Sequence, residues 1–189
     1  MSDPTSGVFA GTAEVGTAET GTAEVGTAEG EATGPARAEP RWLTANQQLA
    51  WRNLLEGHEL LMSQLDKELR AAHGIGMPEY ELLVRLSEQP DHAMRMAQLA
   101  DEVGMSRSRL THIVARMESR GLLSRAAIAE DGRGVVCRMT EGGWQLLQTA
   151  APTHVEGVRD HLIDLLNEDE VETMKNIFLK VNAHMRELR

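Results

Sequence analysis

Residues 98–124 read Gln98-LADEVGMSRSRLTHIVARMESRGLL-Ser124, and the spacing of their apolar side chains decides the fold. Leu99, Ala100 and Val103 fit a short helix over about Met96–Val103, which Gly104 ends with a residue suited to the left-handed conformation. Ser106 then caps a further helix over about 107–120. Its apolar stripe is Leu110, Ile113, Val114 and Met117. Stepping about 100° per residue places Ser108, His112, Ala115 and Ser119 opposite that stripe. Thr111 flanks this outer face on one side, Arg109 and Arg116 on the other. Small residues allow close approach, and Arg, His, Ser and Thr hydrogen-bond phosphates or base edges. The pair has the form of a helix-turn-helix.

On the C-terminal side, Gly121 ends the second helix of that pair. Leu122–Ala127 and Val135–Met139 then pair as two strands across Glu130-Asp-Gly-Arg-Gly134. Asp-Gly is a hairpin signal, and it puts Arg133 at or near the tip. Thr140 caps a fifth helix that apolar spacing carries through Leu146, Leu147, Val155, Leu162 and Leu166, with a bend at Pro152. Asn167 with Glu170 opens a sixth, whose apolar face is Val171, Met174, Ile177, Phe178, Val181, Met185 and Leu188.

On the N-terminal side, Pro78 is placed as the first residue of a helix with Leu82, Leu83 and Leu86 on its apolar face, ended by Pro90. Before it, Thr44-Ala-Asn-Gln47 matches a capping box. Leu49, Leu54, Leu55, Leu61, Met62, Leu65 and Leu69 follow at helical spacing to about Ala72, and Gly74 and Gly76 halt the pattern. A helix of about 28 residues spans about 42 Å, longer than a small core needs, which predicts a partner along its length. Gly57 either marks a close helix crossing or is a tolerated defect.

Residues 11–30 are four tandem copies, GTAEV, GTAET, GTAEV and GTAEG. A glycine every fifth residue and at most one large apolar side chain per copy cannot offset chain entropy, so residues 1–40 are expected to be a disordered acidic tail. The chain has 189 residues and a formal charge of −10, which at face value argues against a nucleic-acid partner. Its distribution reverses that inference. The tail holds seven acids and one base, for −6. Between Met105 and Arg138, seven arginines face only Glu118, Glu130 and Asp131, for +4, and the rest of the 41–189 body carries −8. With 3% aromatic residues, stacking on single-stranded bases is disfavoured and groove reading of a duplex is left as the better account.

No apolar run approaches 18 residues, so no membrane span is expected. The first 30 residues lack a basic n-region and an apolar h-region, so no secretory signal is expected. The single cysteine, Cys137, allows no intrachain disulfide framework and fits a reducing cytoplasm. No Gly-rich phosphate loop, His-Glu-x-x-His or Gly-x-Ser-x-Gly is present, so neither an enzyme nor a cofactor is expected. His154 and His161 share a helix but stand two turns, about 10 Å, apart, too far for one ion. Cys137 falls in a predicted strand, where a small buried hydrophobe is the ordinary reading and a redox sensor the alternative. Trp42 and Trp51 can line a ligand pocket or a dimer core.

The stretch 98–124, followed by Asp131-GRGVVCRMTEG-Gly143, resembles the multiple-antibiotic-resistance regulator (MarR) family of winged helix-turn-helix transcription factors. The matching features are Leu99-Ala100, Gly104, Ser106, Thr111, Gly121-Leu122, Asp131-x-Arg133, and Thr140 with Gly143; the likeness covers about 42–189. It implies a mainly α fold with a small β-hairpin wing, a winged helix-turn-helix at about 78–140 flanked by long dimerisation helices at about 43–73 and 141–189. It implies that Ser108, Arg109, Thr111 and His112 enter a major groove, and that Ser106, which caps their helix, belongs to the DNA-binding set with them. Arg107 and Arg116 would hold phosphates, Arg133 would reach a minor groove, and Asp131 would orient a nearby arginine. The implied protein is a cytoplasmic homodimeric regulator, a repressor that a small-molecule effector releases from a pseudo-palindromic site in double-stranded DNA. The alternatives are a winged-helix module that binds protein and a redox- or metal-responsive regulator.

Overall fold

The computed structural model describes residues 40–128 and 131–188, with side chains described at 40–127 and 134–188. The chain divides into two units, Met1–Trp42 and Leu43–Arg189. The expected tail falls in the first and, Pro40 apart, lies outside the described residues.

Helix α1, Ala45–His73, starts where the capping box predicts. Thr44 Oγ1 accepts from Gln47 N at 3.3 Å, and Gln47 Oε1 accepts from Thr44 N at 2.9 Å. Gly74, at φ 66°, closes the helix by donating to the Arg70 carbonyl. Of its 29 residues, only Leu65 and Leu69 are buried. A Cβ at Gly57 would meet nothing within 4 Å among the described residues, which make no close crossing there. Helix α2, Met77–Ser87, takes Pro78 as its second residue rather than its first. Leu82, Leu83 and Leu86 are fully buried.

The helix-turn-helix follows as α3, Met96–Glu102, and α4, Arg107–Ser119. The left-handed turns fall on Gly104 at φ 62° and Gly121 at φ 73°, conformations that cost a glycine little. The stripe deduced for α4 is the buried one: Leu110, Ile113, Val114 and Met117. They pack with Leu99, with the α2 leucines and with Leu69 and Ile75 in one apolar cluster.

The sheet differs from the expected hairpin. Strand β1, Ala93–Arg95, joins β2, Leu123–Ile128, and β3, Asp131–Met139, in the antiparallel order β1-β3-β2. At three residues β1 is too short to show an alternating pattern; it is a strand because Met94 registers with Cys137. The wing strands also run past the expected connection, since Ile128 pairs with Asp131. The register slips between Ala127, opposite Val135, and Ile128. Gly132, Arg133 and Gly134 therefore sit in an irregular part of β3, not in the loop between the strands.

Thr140 caps α5, Glu141–His161, by accepting from Gly143 N. This helix continues through Pro152, but it stops before Leu162 and Leu166. Leu162 leaves the helical region, and a 3-10 turn, Ile163–Leu165, follows. Arg159 pairs with Asp164 across that turn at 2.7 Å. The apolar period runs on because Leu162, Ile163 and Leu166 remain half-buried beyond the helix end. Asn167 and Glu170 form the capping box of α6, Glu168–Glu187, which buries none of its residues. No helix among the described residues is long and apolar enough to cross a membrane.

Candidate nucleic-acid interface

Helix α4 turns its buried stripe to the core, and its other side chains follow from that constraint. Ser106, Arg107, Ser108, Arg109, Thr111, His112 and Arg116 are all exposed. Ser106 holds the helix start by accepting from Arg109 N at 3.3 Å. The Thr111 hydroxyl donates to the Arg107 carbonyl at 2.8 Å and keeps its capacity to accept. Among the described residues, no hydrogen bond or ion pair engages the side chains of Arg107, Arg109 or His112. Beside them lies a groove of about 330 Å³, lined by Arg95, Met96, Arg107, Leu110, Thr111 and Val135.

Four further arginines of the basic segment, Arg116, Arg120, Arg125 and Arg138, have partners within the chain. Arg125 grips Glu118 with Nε at 3.0 Å and Nη2 at 2.6 Å, and its backbone N–H donates to the same carboxylate. That side-chain hydrogen bond holds the Glu118 carboxyl below its ordinary range against a smaller opposing effect of burial. Arg138 donates to the Asp91 carbonyl at 2.7 Å. Arg116 Nε donates to Glu79 Oε1 at 3.0 Å. Arg120 stands 3.8 Å from the same oxygen and donates to the Gly74 carbonyl at 3.0 Å. Sequence reasoning missed Glu79, which is buried with 2% exposure. Its place three residues after Gly76 signals only a helix cap. The side chains of Asp131 and Arg133 lie outside the described residues.

Cys137 is fully buried in β3, and burial pushes its thiol up to about 12, so a thiolate is scarce at neutral pH. The α5 histidines are spent on packing between helices. His161 Nε2 meets Glu68 Oε1 at 2.7 Å, and the His154 ring lies 4.6 Å from the Tyr80 ring. Burial holds His154 below its ordinary pKa. Among the described residues, no group of three or more His, Cys, Asp or Glu can hold a metal ion.

Among the described residues, exposed large apolar side chains are concentrated on two helices. One is the first half of α1, with Leu49, Trp51, Leu54 and Leu55; the other is α6, with Ile177, Phe178, Val181 and Met185. Trp42 is exposed as well.

Known proteins share this arrangement. The model of the MarR family matches residues 75–135. AbsC, a MarR family transcriptional regulator from Streptomyces coelicolor, has a crystal structure that superposes with a TM-score of 0.72. It is 40% identical, over 78% of this chain and 99% of that one. Sco3205, a MarR family transcriptional regulator from the same organism, was solved in complex with DNA. It is 38% identical over 77% of this chain and 91% of that one, with a TM-score of 0.73. MhqR of Bacillus subtilis strain 168, an HTH-type transcriptional regulator, is 28% identical over 115 residues, 61% of this chain and 77% of that protein. These relatives are transcriptional regulators, not enzymes. A helix-turn-helix with its wing, long flanking helices and this degree of identity place the chain in the MarR family of winged helix-turn-helix transcriptional regulators.

Proposed function

We propose that the protein is a cytoplasmic homodimer that reads a pseudo-palindromic site in double-stranded DNA and represses transcription there. One observation carries this reading: the outer face of α4 presents Arg107, Arg109 and His112 without partners among the described residues, while its inner face is fully engaged in the core. Ser108, Arg109, Thr111 and His112 would read base edges, with Ser106 fixing the helix start. Arg107 and Arg116 would hold phosphates, and Arg133 would reach a minor groove with Asp131 orienting a nearby arginine. The DNA complex of the 38% identical Sco3205 supports the choice of ligand.

The dimer would form from residues 43–73 and 141–189. Its support is the set of large apolar side chains left exposed on α1 and α6, the kind of surface that marks an interaction site. Two recognition helices in such a dimer address half-sites roughly 10 bp apart. A small-molecule effector that favours a geometry unable to span them would weaken DNA binding by its own coupling energy, and DNA would weaken effector binding equally. Residues 1–40 would be a dispensable tail, and their removal is expected to leave dimer mass and operator affinity nearly unchanged.

Gel retardation of the protein's own promoter region over a salt series tests the proposal. The logarithm of affinity should fall steeply with the logarithm of salt, and Arg133→Ala should weaken binding and flatten that slope. Absence of any salt-dependent shift on genomic fragments would instead favour a winged-helix module that binds protein.

A further inference from the structure

Glu79 is the one buried charged residue among the described residues, and the recognition helix and its C-cap supply its charged partners, Arg116 and Arg120. One carboxylate oxygen accepts from Gly76 N at 2.8 Å, at the start of α2. The other accepts from Arg116 Nε at 3.0 Å and lies 3.8 Å from Arg120 Nη1. Arg120 is itself fixed to the Gly74 carbonyl. The carboxylate is thus held on both oxygens, and any movement that broke these contacts would strand a charge with 3% side-chain exposure.

Arg116 has the opposite character: its side chain is 57% exposed although its Nε is taken. No other hydrogen bond among the described residues engages its side chain, so Nη1 and Nη2 are left for a further partner. An arginine has donors on more than one edge of a rigid plane and can serve a carboxylate and a phosphate together. Fixing it beforehand removes the rotamer entropy otherwise lost on binding.

We infer that Glu79 is a positioning residue for DNA recognition: from beneath α4 it presents the outer edge of Arg116 to a backbone phosphate. The inference rests on the DNA-binding reading above. Through Gly74 and Gly76, the same carboxylate ties the reading helix to the α1–α2 junction, so the phosphate contact and the seat of α4 share one anchor.

The test is a double-mutant cycle on operator binding by the full-length chain, with salt slopes measured for each variant. Arg116→Ala should reduce the magnitude of the slope by about 2 for a dimer, one phosphate per protomer. Glu79→Gln, whose amide oxygen can still accept from Gly76 N, should weaken operator binding by about tenfold. In the Glu79→Gln background, Arg116→Ala should cost clearly less than in the wild type. The inference is overturned if Arg116→Ala leaves the slope unchanged, if its cost is the same in both backgrounds, or if Glu79→Gln binds as tightly as wild type. Tighter binding with a steeper slope would overturn it too, and would make Glu79 a restraint that withholds Arg116. Should circular dichroism show that the Gln variant does not fold, Arg116→Lys decides. Its flexible ammonium lacks the rigid second edge that Glu79 holds in place, so it should bind more weakly than wild type although the charge is kept, and wild-type affinity would overturn the inference. A wild-type chain with no salt-dependent binding would instead remove the DNA-binding reading itself.

Discussion

Helices α4 and α6 carry apolar stripes of the same kind and opposite fate. On α4, Leu110, Val114 and Met117 are completely covered by neighbouring elements. On α6, Ile177, Phe178, Val181 and Met185 are each at least 40% exposed, and the first half of α1 leaves Leu49, Trp51, Leu54 and Leu55 open in the same way. An amphipathic helix is stabilised by what covers its stripe, not by its propensity alone. The reading head therefore has its core within one chain. The flanking helices await a cover, which the proposed dimer supplies with a second copy.

The comparison breaks most visibly in the packed region. Leu110→Ala should cost about 2–5 kcal/mol, because it removes a fully buried side chain from rigid surroundings. Urea unfolding should show that loss at every protein concentration. A cost below about 1 kcal/mol would mean that the head is packed loosely. The open region answers to a different substitution. Phe178→Glu should weaken the dimer at least about a hundredfold, equivalent to about 2.7 kcal/mol. Sedimentation should then find a monomer where the wild type is expected to be a dimer, and the variant's melting temperature should lose any dependence on concentration. A variant that stays dimeric, or a wild type that sediments as a monomer, would remove the contrast between the two regions.

The next effect is smaller and local to the head. Ser106→Ala deletes the acceptor for Arg109 N and should cost about 1 kcal/mol, the usual worth of an N-cap. The same substitution should weaken operator binding, because the first turn of α4 carries Arg107 and Arg109. Weaker binding without any loss of stability would assign the hydroxyl to DNA rather than to the cap.

What was legible in the sequence divides along the same line. Local rules located the Thr44, Ser106, Thr140 and Asn167 caps and the buried face of α4, because each rests on neighbours within one turn. Strand β1 was missed because three residues carry no period, and only the register with β3 makes them a strand. The end of α5 was missed because no glycine or proline marks it; the Arg159–Asp164 contact and the backbone of Leu162 do. Counting charge along 105–138 located a basic segment but not its usable part, since Arg125 is spent on Glu118 and Arg138 on a carbonyl. Glu79 was invisible for the same reason: a glutamate near a helix start reads as a cap, and its arginine partners lie 37 and 41 residues away.

The smallest effect lies at the seam where α1 passes from open to packed. Asp66 Oδ1 accepts from Met77 N at 2.8 Å, and Oδ2 accepts from Arg70 Nε at 2.6 Å. The hydrogen bond from Arg70 is the largest influence on this carboxyl and, against burial, holds it below its ordinary value of 3.8. A depressed folded-state pKa means that the unfolded chain binds the proton more readily. The resulting stability is fully present above the unfolded value and is lost as pH falls through the folded one. Asp66→Asn keeps an oxygen for Met77 N but offers Arg70 no charge. The stability gap between wild type and this variant should therefore be constant above about pH 5 and close as the solution is acidified below about pH 4. Comparing the two chains isolates Asp66 from Glu68, Glu118 and Glu172, whose carboxyls are also depressed and titrate alike in both. A gap that persists unchanged into acid would show that the junction is held by Met77 N and by the burial of Leu65 and Leu69. The boundary between the packed and open parts of α1 would then be set by apolar contacts rather than by charge.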